Sequence, residues 1–182
     1  MLMKPGDCFL LAVDLQEKLV PAVEAGERVL ANVGRLMTAA ARLGIPALAT
    51  EHCAERVGPM VAGLRGRLPE DAVLAKVHFS AQAEAGCAER FQRLGRAMPV
   101  VVGTETHVCV MQTALGLKQA GYKPFLVTDA VGSRHAHDRE AALVRMREAG
   151  IVLVTTEMVI FEWLERGDHE AFRDLLPLIK GG

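Results

Sequence analysis

Short runs of apolar residues alternate along the chain with longer stretches in which apolar residues recur every three or four positions. A short apolar run between turn residues is typical of a strand buried on both faces, and the longer spacing is typical of an amphipathic helix. The pattern predicts strands at residues 8–14, 45–51, 72–77, 98–103, 123–129 and 151–156. It predicts helices at residues 26–43, 81–95, 106–120, 137–149, 157–165 and 168–179. Residues 52–71, rich in Gly and Pro, are predicted to be a loop with one helical turn near Met60–Leu64.

This alternation of strands and helices predicts the fold class. Apolar strands separated by helices form a parallel sheet that is covered on both faces. Right-handed crossovers then give an α/β, doubly wound, six-stranded parallel sheet with helices on both faces, a Rossmann-like three-layer sandwich. We expect residues 1–182 to form a single domain that ends in a frayed Gly181–Gly182.

Composition and charge narrow the classes of partner. Lys plus Arg number 21 and Asp plus Glu number 22, and a net charge of −1 gives no reason to expect nucleic acid or an anionic membrane as a partner. No apolar run approaches the roughly 20 residues of a membrane helix. The apolar stretch near the N-terminus is short and ends in Asp14 without a cleavage site, so we interpret it as a buried strand rather than a signal peptide.

Four cysteines occur, and no two of them form a CxxC motif. A disulfide framework is not expected in a chain of this size, and the prediction is a cytoplasmic protein with free thiols. Cys8 lies inside the first strand and is expected in the core, whereas Cys53 and Cys87 suggest no role. Cys109 follows the fourth strand, where it is either a reactive thiol or a small buried residue.

Three residue types with complementary chemistry stand at predicted strand ends. Asp14 ends the first strand, Lys76 the third, and Cys109 opens the helix after the fourth. Ligands bind beyond the carboxyl ends of such strands, where the winding reverses. A lysine and a helix start favour a thiolate, an aspartate can move its proton, and helix N–H groups can bind an oxyanion. Each residue alone also fits a structural role, but together they favour acyl transfer.

Longer motifs around these residues resemble a known family. The segments DLQEKL (14–19), AKVHFS (75–80) and GTETHVCVMQTALGLKQAGY (103–122) resemble those of isochorismatase-like cysteine hydrolases, in the same order. The resemblance extends from about residue 8 to residue 165 and is nearest to the small, single-domain isochorismatase domain-containing proteins.

The resemblance implies a mechanism and a set of site residues. It implies a catalytic triad of Asp14, Lys76 and Cys109, and an oxyanion hole made by the backbone N–H groups of Glu105 and Cys109. It also implies a cis peptide bond between Thr104 and Glu105. The implied protein is a homo-oligomer that hydrolyses a small-molecule amide or ester without a cofactor.

Further residues near the strand ends are candidates for the pocket wall. These candidates are Gln16, Glu51, Phe79, Thr106 and His107.

Two alternatives remain open from the sequence. A nicotinamidase-like amidohydrolase would use a metal, but Glu51 and His52 are adjacent on a strand and point to opposite faces, and His78 lies too far along the chain. We therefore predict no metal site. A non-catalytic, oligomeric binding protein with the same fold is the second alternative.

DLQEKL contains no GxGxxG motif, which argues against a dinucleotide site. Neither the substrate nor the reaction subtype is determined by the sequence.

Overall fold

The structure, a computed structural model, describes residues 1–180 and contains a six-stranded sheet in which every pair of neighbours is parallel. The strands are β1 Cys8–Val13, β2 Ala47–His52, β3 Val73–Lys76, β4 Met98–Thr104, β5 Phe125–Gly132 and β6 Val152–Val154. Their order across the sheet is β3-β2-β1-β4-β5-β6. The predicted doubly wound α/β fold is therefore confirmed, with the winding reversed between β1 and β4.

Helices cover both faces of this sheet. The α-helices are α1 Gly26–Arg42, α2 Ala54–Val57, α3 Ala62–Arg65, α4 Ala85–Arg93, α5 Met111–Gln119, α6 Ala136–Glu148, α7 Thr156–Leu164 and α8 Phe172–Lys180. Helices α1 and α7 contact each other and β5, whereas α5 contacts α6 and α4 contacts β3. Every residue of β1 and β4 is buried, because these two central strands are covered by helices and flanked by strands on each side.

Most boundaries shift by a few residues from the predictions, and three differences change the local structure. Residues 52–71 contain two short helices, α2 and α3, and a 3₁₀ turn at Glu70–Ala72, where one helical turn was predicted. The helix predicted at 106–120 begins as a π-helix, Thr106–Val110, before it continues as α5. β5 continues to Gly132, three residues beyond its predicted end, and its last residues pair with Gly103 and Thr104 after a shift of register between Val101 and Gly103.

Two further findings concern the ends of the chain and its relation to membranes. The predicted frayed end, Gly181–Gly182, lies outside the described residues. Within residues 1–180, no helix has both the length and the apolar character needed to cross a bilayer.

Gly103 lets β4 approach β1 closely at the edge where the chain turns. It pairs with Val13 across the two strands and has a φ of 141°. A Cβ atom at this position would lie 2.1 Å from the carbonyl oxygen of Val13, much closer than any van der Waals contact allows. A residue other than glycine would therefore force β4 away from β1.

We predict that Gly103→Ala destabilises the protein by about 2–4 kcal/mol, through backbone strain and the clash with Val13. Denaturant unfolding measures the change. Gly86→Ala is the matched control, because Gly86 lies in α4 and a Cβ atom there would meet nothing within 4 Å. The control should be neutral or more stable by up to about 1 kcal/mol. Equal stability of Gly103→Ala and the wild type would contradict the prediction.

Candidate functional site

A buried ion pair joins two of the predicted site residues. Asp14 directly follows β1, and Lys76 is the last residue of β3. These strands are not neighbours, since β2 lies between them, yet Lys76 Nζ is 2.7 Å from Asp14 Oδ2. Both side chains are fully buried, and Nζ also donates to the main-chain carbonyl of His78 at 3.2 Å.

Thr50 on the intervening strand supplies the second contact to the Asp14 carboxylate. Its Oγ1 donates to Asp14 Oδ1 at 2.7 Å, and its carbonyl accepts from the Asp14 N–H at 3.1 Å. Each carboxylate oxygen of Asp14 therefore has its own donor. The role of Thr50 cannot be predicted from the sequence alone. It depends on the pairing of Val13 with Thr50, which is known only once the strand order is known.

Cys109 lies in the π-helix, close enough to this pair for the charges of Asp14 and Lys76 to act on its thiol. The residue is 4% exposed. Burial raises the pKa of the Cys109 thiol far above its ordinary value, the charge of Asp14 raises it further, and Lys76 acts in the opposite direction. We expected Lys76 and the helix start to lower the pKa of this thiol, but desolvation has the larger effect and raises it.

The chain turns sharply between β4 and the π-helix. Glu105 has a left-handed backbone, with φ 56° and ψ 66°, and the Thr104 hydroxyl donates to the main-chain carbonyl of Asp14. The predicted cis bond between Thr104 and Glu105 is wrong, because all peptide bonds in residues 1–180 are trans. The reversal is instead made by the positive φ angles of Gly103 and Glu105.

Two of the predicted pocket candidates hold the segment after β2 in place. The Gln16 amide donates to the carbonyls of His52 and Gly58, at 3.1 and 2.6 Å, and accepts from the His52 N–H at 2.8 Å. The Glu51 carboxylate accepts from the Met60 N–H at 2.7 Å. Their polar groups are thus bonded to the backbone and position the loop that borders the site.

The other three pocket candidates, Phe79, Thr106 and His107, differ in their exposure and in their contacts. Phe79 is half exposed and packs on the His52 ring, with centroids 5.2 Å apart. Thr106 is fully buried, and its hydroxyl has no hydrogen-bond partner among the described residues. His107 Nδ1 lies 3.0 Å from Ser133 Oγ.

Ser133 and Arg134 also contact the site, although no role was predicted for them from the sequence. Arg134 Nε lies 2.9 Å from Glu105 Oε1, so both residues of this pair after β5 contact the turn before Cys109. The segment LVTDAVGSR (126–134), which ends in these two residues, also resembles the family, but a contact with the turn before Cys109 requires the pairing of β4 with β5.

The last two residues of β2, which the first alternative would use as metal ligands, make other contacts. The Glu51 carboxylate is bonded to the Met60 N–H, and the His52 ring packs on Phe79. Within residues 1–180, no group of three or more His, Cys, Asp and Glu side chains is arranged to hold a metal ion.

The remaining cysteines are not members of the predicted triad. Cys8 and Cys87 are buried, and burial raises the pKa of each thiol to about 11. Cys53 is half-buried at the start of α2.

Three solved structures share this fold over almost the whole chain. One is described as the MAR1 ribonuclease from Caenorhabditis elegans, with a TM-score of 0.92, 31% identity, and coverage of 98% of this chain and 92% of that one. The YcaC gene product of Escherichia coli, described as an octameric hydrolase of unknown specificity, has a TM-score of 0.93 and 25% identity, covering 100% and 92%. YcaC from Pseudomonas aeruginosa, with hexane-2,5-diol and covalent acrylamide, has a TM-score of 0.93 and 26% identity, covering 99% and 92%.

Sequence comparison shows the family. Mouse isochorismatase domain-containing protein 2A is 31% identical over 178 residues, which cover 97% of this chain and 84% of the mouse protein. The family model described as the isochorismatase domain matches residues 8–158, a span that contains Asp14, Lys76 and Cys109. This chain, with its hydrolase-type α/β fold, therefore belongs to the isochorismatase domain family.

Proposed function

We propose that this protein is a cofactor-free cysteine hydrolase of a small amide or ester, with Cys109 as its nucleophile. The observation that carries the proposal is that a buried Cys109 thiol lies within electrostatic range of the buried Asp14–Lys76 pair. A buried thiol beside a carboxylate and an ammonium has both a proton acceptor and a fixed positive charge within reach. A purely structural cysteine requires neither.

The acylation half of the reaction begins with proton transfer from Cys109 Sγ to Asp14. The sulfur attacks the carbonyl carbon, and the resulting oxyanion is bound by the backbone N–H groups of Glu105 and Cys109. When the intermediate collapses, the bond to the amine or alcohol breaks, and the leaving group takes the proton from Asp14. The product of this half is a thioester on Cys109.

The deacylation half uses the same groups. Asp14 takes a proton from water, the hydroxide attacks the thioester carbonyl, and the carbon–sulfur bond breaks to release the acid. The sulfur regains the proton from Asp14, which restores the starting state. Lys76 and Thr50 hold the Asp14 carboxylate in one orientation through both halves, each bonded to a different oxygen.

The comparisons support this proposal at a coarser level. The family generally contains hydrolases, and the YcaC structure from Pseudomonas aeruginosa contains covalent acrylamide, an electrophile to which thiols add. A net charge of −1 does not favour a polyanionic substrate such as RNA for this chain.

We also propose that the protein is a homo-oligomer. The YcaC gene product of Escherichia coli is described as octameric. Here Val77 and Phe79, directly after Lys76, are 68% and 50% exposed, which leaves apolar surface at the edge of the site.

Hydrolysis of a panel of small amides and esters tests the nucleophile and its base. We expect Cys109→Ala and Asp14→Asn to lower kcat at least about 100-fold, because one removes the nucleophile and the other the proton acceptor. Cys53→Ala is the control and should keep wild-type rates, since this thiol lies outside the triad. Wild-type turnover by Cys109→Ala would refute the proposed function.

Removing Lys76 tests the buried pair. Lys76→Met leaves the Asp14 carboxylate buried without its cation, so we expect a loss of about 3–5 kcal/mol in the free energy of unfolding at neutral pH. The double variant Lys76→Met/Asp14→Asn should recover much of that stability and stay inactive. Denaturant titration gives the stabilities, and unchanged stability of the single variant would contradict the prediction.

The oligomeric state is tested by size-exclusion chromatography with light scattering. We expect a mass several times the 19.6 kDa of one chain. A single 19.6 kDa species at micromolar concentration would count against the oligomer.

A further inference from the structure

The turn after β5 contacts the turn that carries the nucleophile. We call residues 103–109 the nucleophile turn. Arg134 Nε lies 2.9 Å from Glu105 Oε1, and the neighbouring Ser133 Oγ lies 3.0 Å from His107 Nδ1. The carbonyl of Ser133 accepts from the N–H of Glu24, which fixes this turn in its own place. Two consecutive residues of one strand end therefore hold the nucleophile turn from the side opposite Asp14 and Lys76.

Glu105 is the part of the nucleophile turn that most needs holding. Its left-handed backbone is unfavourable for a residue with a side chain, so neighbouring contacts have to maintain it. Its N–H is also the proposed first donor to the oxyanion. A small rotation of this peptide would move the donor away from the developing charge, where the geometry has a strong effect on rate.

The Glu105 carboxylate is paired with one permanently charged side chain, Arg134. The side chain is 11% exposed, so its charge requires a partner. Its Oε1 faces Arg134, and its Oε2 is 3.4 Å from His107 Nδ1 but makes no hydrogen bond. The other ring nitrogen of His107, Nε2, lies 3.9 Å from Oδ2 of a second carboxylate, Asp138. Arg134 is thus the permanently charged group in contact with Glu105.

Because the Arg134 side chain is largely exposed, its contact with Glu105 acts mainly on the local backbone and little on global stability. Arg134 is 55% exposed, and an ion pair with so accessible a partner contributes little to the free energy of unfolding. Its geometry still fixes the side chain of a strained residue. The contact therefore matters for where the Glu105 backbone lies more than for whether the protein folds.

We propose that Arg134 is a positioning residue that acts through the Glu105 carboxylate to orient the Glu105 N–H toward the oxyanion. This inference rests on the proposed function, since it assigns a residue that serves the same reaction. It adds the turn after β5 to a site otherwise built from the ends of β1, β2, β3 and β4.

Hydrolysis of p-nitrophenyl acetate by Arg134→Ala is the first test. We expect kcat to fall about tenfold, less than for complete loss of an oxyanion donor, while KM changes by less than about twofold. Millimolar guanidinium should restore part of kcat in Arg134→Ala by occupying the vacated position beside Glu105. Arg166→Ala is the matched control, because Arg166 is an exposed arginine paired with Asp168, far along the chain in the turn after α7. It should show neither the loss nor the rescue.

Hydrogen exchange provides a readout that does not depend on turnover. Backbone amides of the nucleophile turn should exchange several-fold faster in Arg134→Ala than in the wild type, with no change in β1 or β4. Glu105→Gln keeps the shape of the side chain and removes its charge, so it should give a similar loss in kcat. The double variant Glu105→Gln/Arg134→Ala should be no slower than the slower single variant, because both remove one contact.

Two results would overturn the inference. One is wild-type kcat together with wild-type exchange of the nucleophile turn in Arg134→Ala. The other is full additivity of the two substitutions, which would mean that they act separately. Failure of the proposed function is distinguishable, since it would appear as full activity of Cys109→Ala whatever Arg134→Ala does.

Discussion

The ion pair between Lys76 and Asp14, 2.7 Å long and wholly buried, is the interaction on which the site depends. Two charges withdrawn from water are tolerated only when they meet each other and their remaining hydrogen bonds are made. Here β2 separates the two strands, so the lysine side chain must span it, and Thr50 on β2 supplies the bond to the other carboxylate oxygen. The parallel sheet makes this possible because all its strands end at the same edge.

Cys109 is joined to that edge by backbone geometry of low intrinsic stability. Asp14 and Glu105 are both left-handed, and Gly103 takes a conformation that side chains rarely adopt. The Thr104 hydroxyl bonds to the Asp14 carbonyl, so the turn after β4 is tied to the turn after β1. The π-helix that follows widens the first turn around Cys109, and such segments occur often at functional sites. Strain of this kind persists only where surrounding contacts enforce it.

Burial determines how the thiol can react. Burial raises the pKa of Cys109, which favours the neutral thiol; the proposed mechanism therefore needs Asp14 to accept the proton. In the proposed reaction, the same carboxylate that raises this pKa is the base that removes the proton, so its orientation by Lys76 and Thr50 would control the rate. An exposed cysteine with a lowered pKa would instead be open to any electrophile in solution.

The sequence by itself determined the order of strands and helices and the position of three chemical residues at strand ends. Buried strands appear as apolar runs, and this information is local, so the six strands and the doubly wound fold followed from the pattern. The tertiary structure decided what depends on distances between remote residues. It decided the role of Thr50, the contact of Ser133 and Arg134 with the nucleophile turn, and the trans bond before Glu105 where the motif implied a cis one. It also decided that the pKa of the Cys109 thiol is raised, because desolvation depends on everything packed around the sulfur and not on its neighbours in sequence.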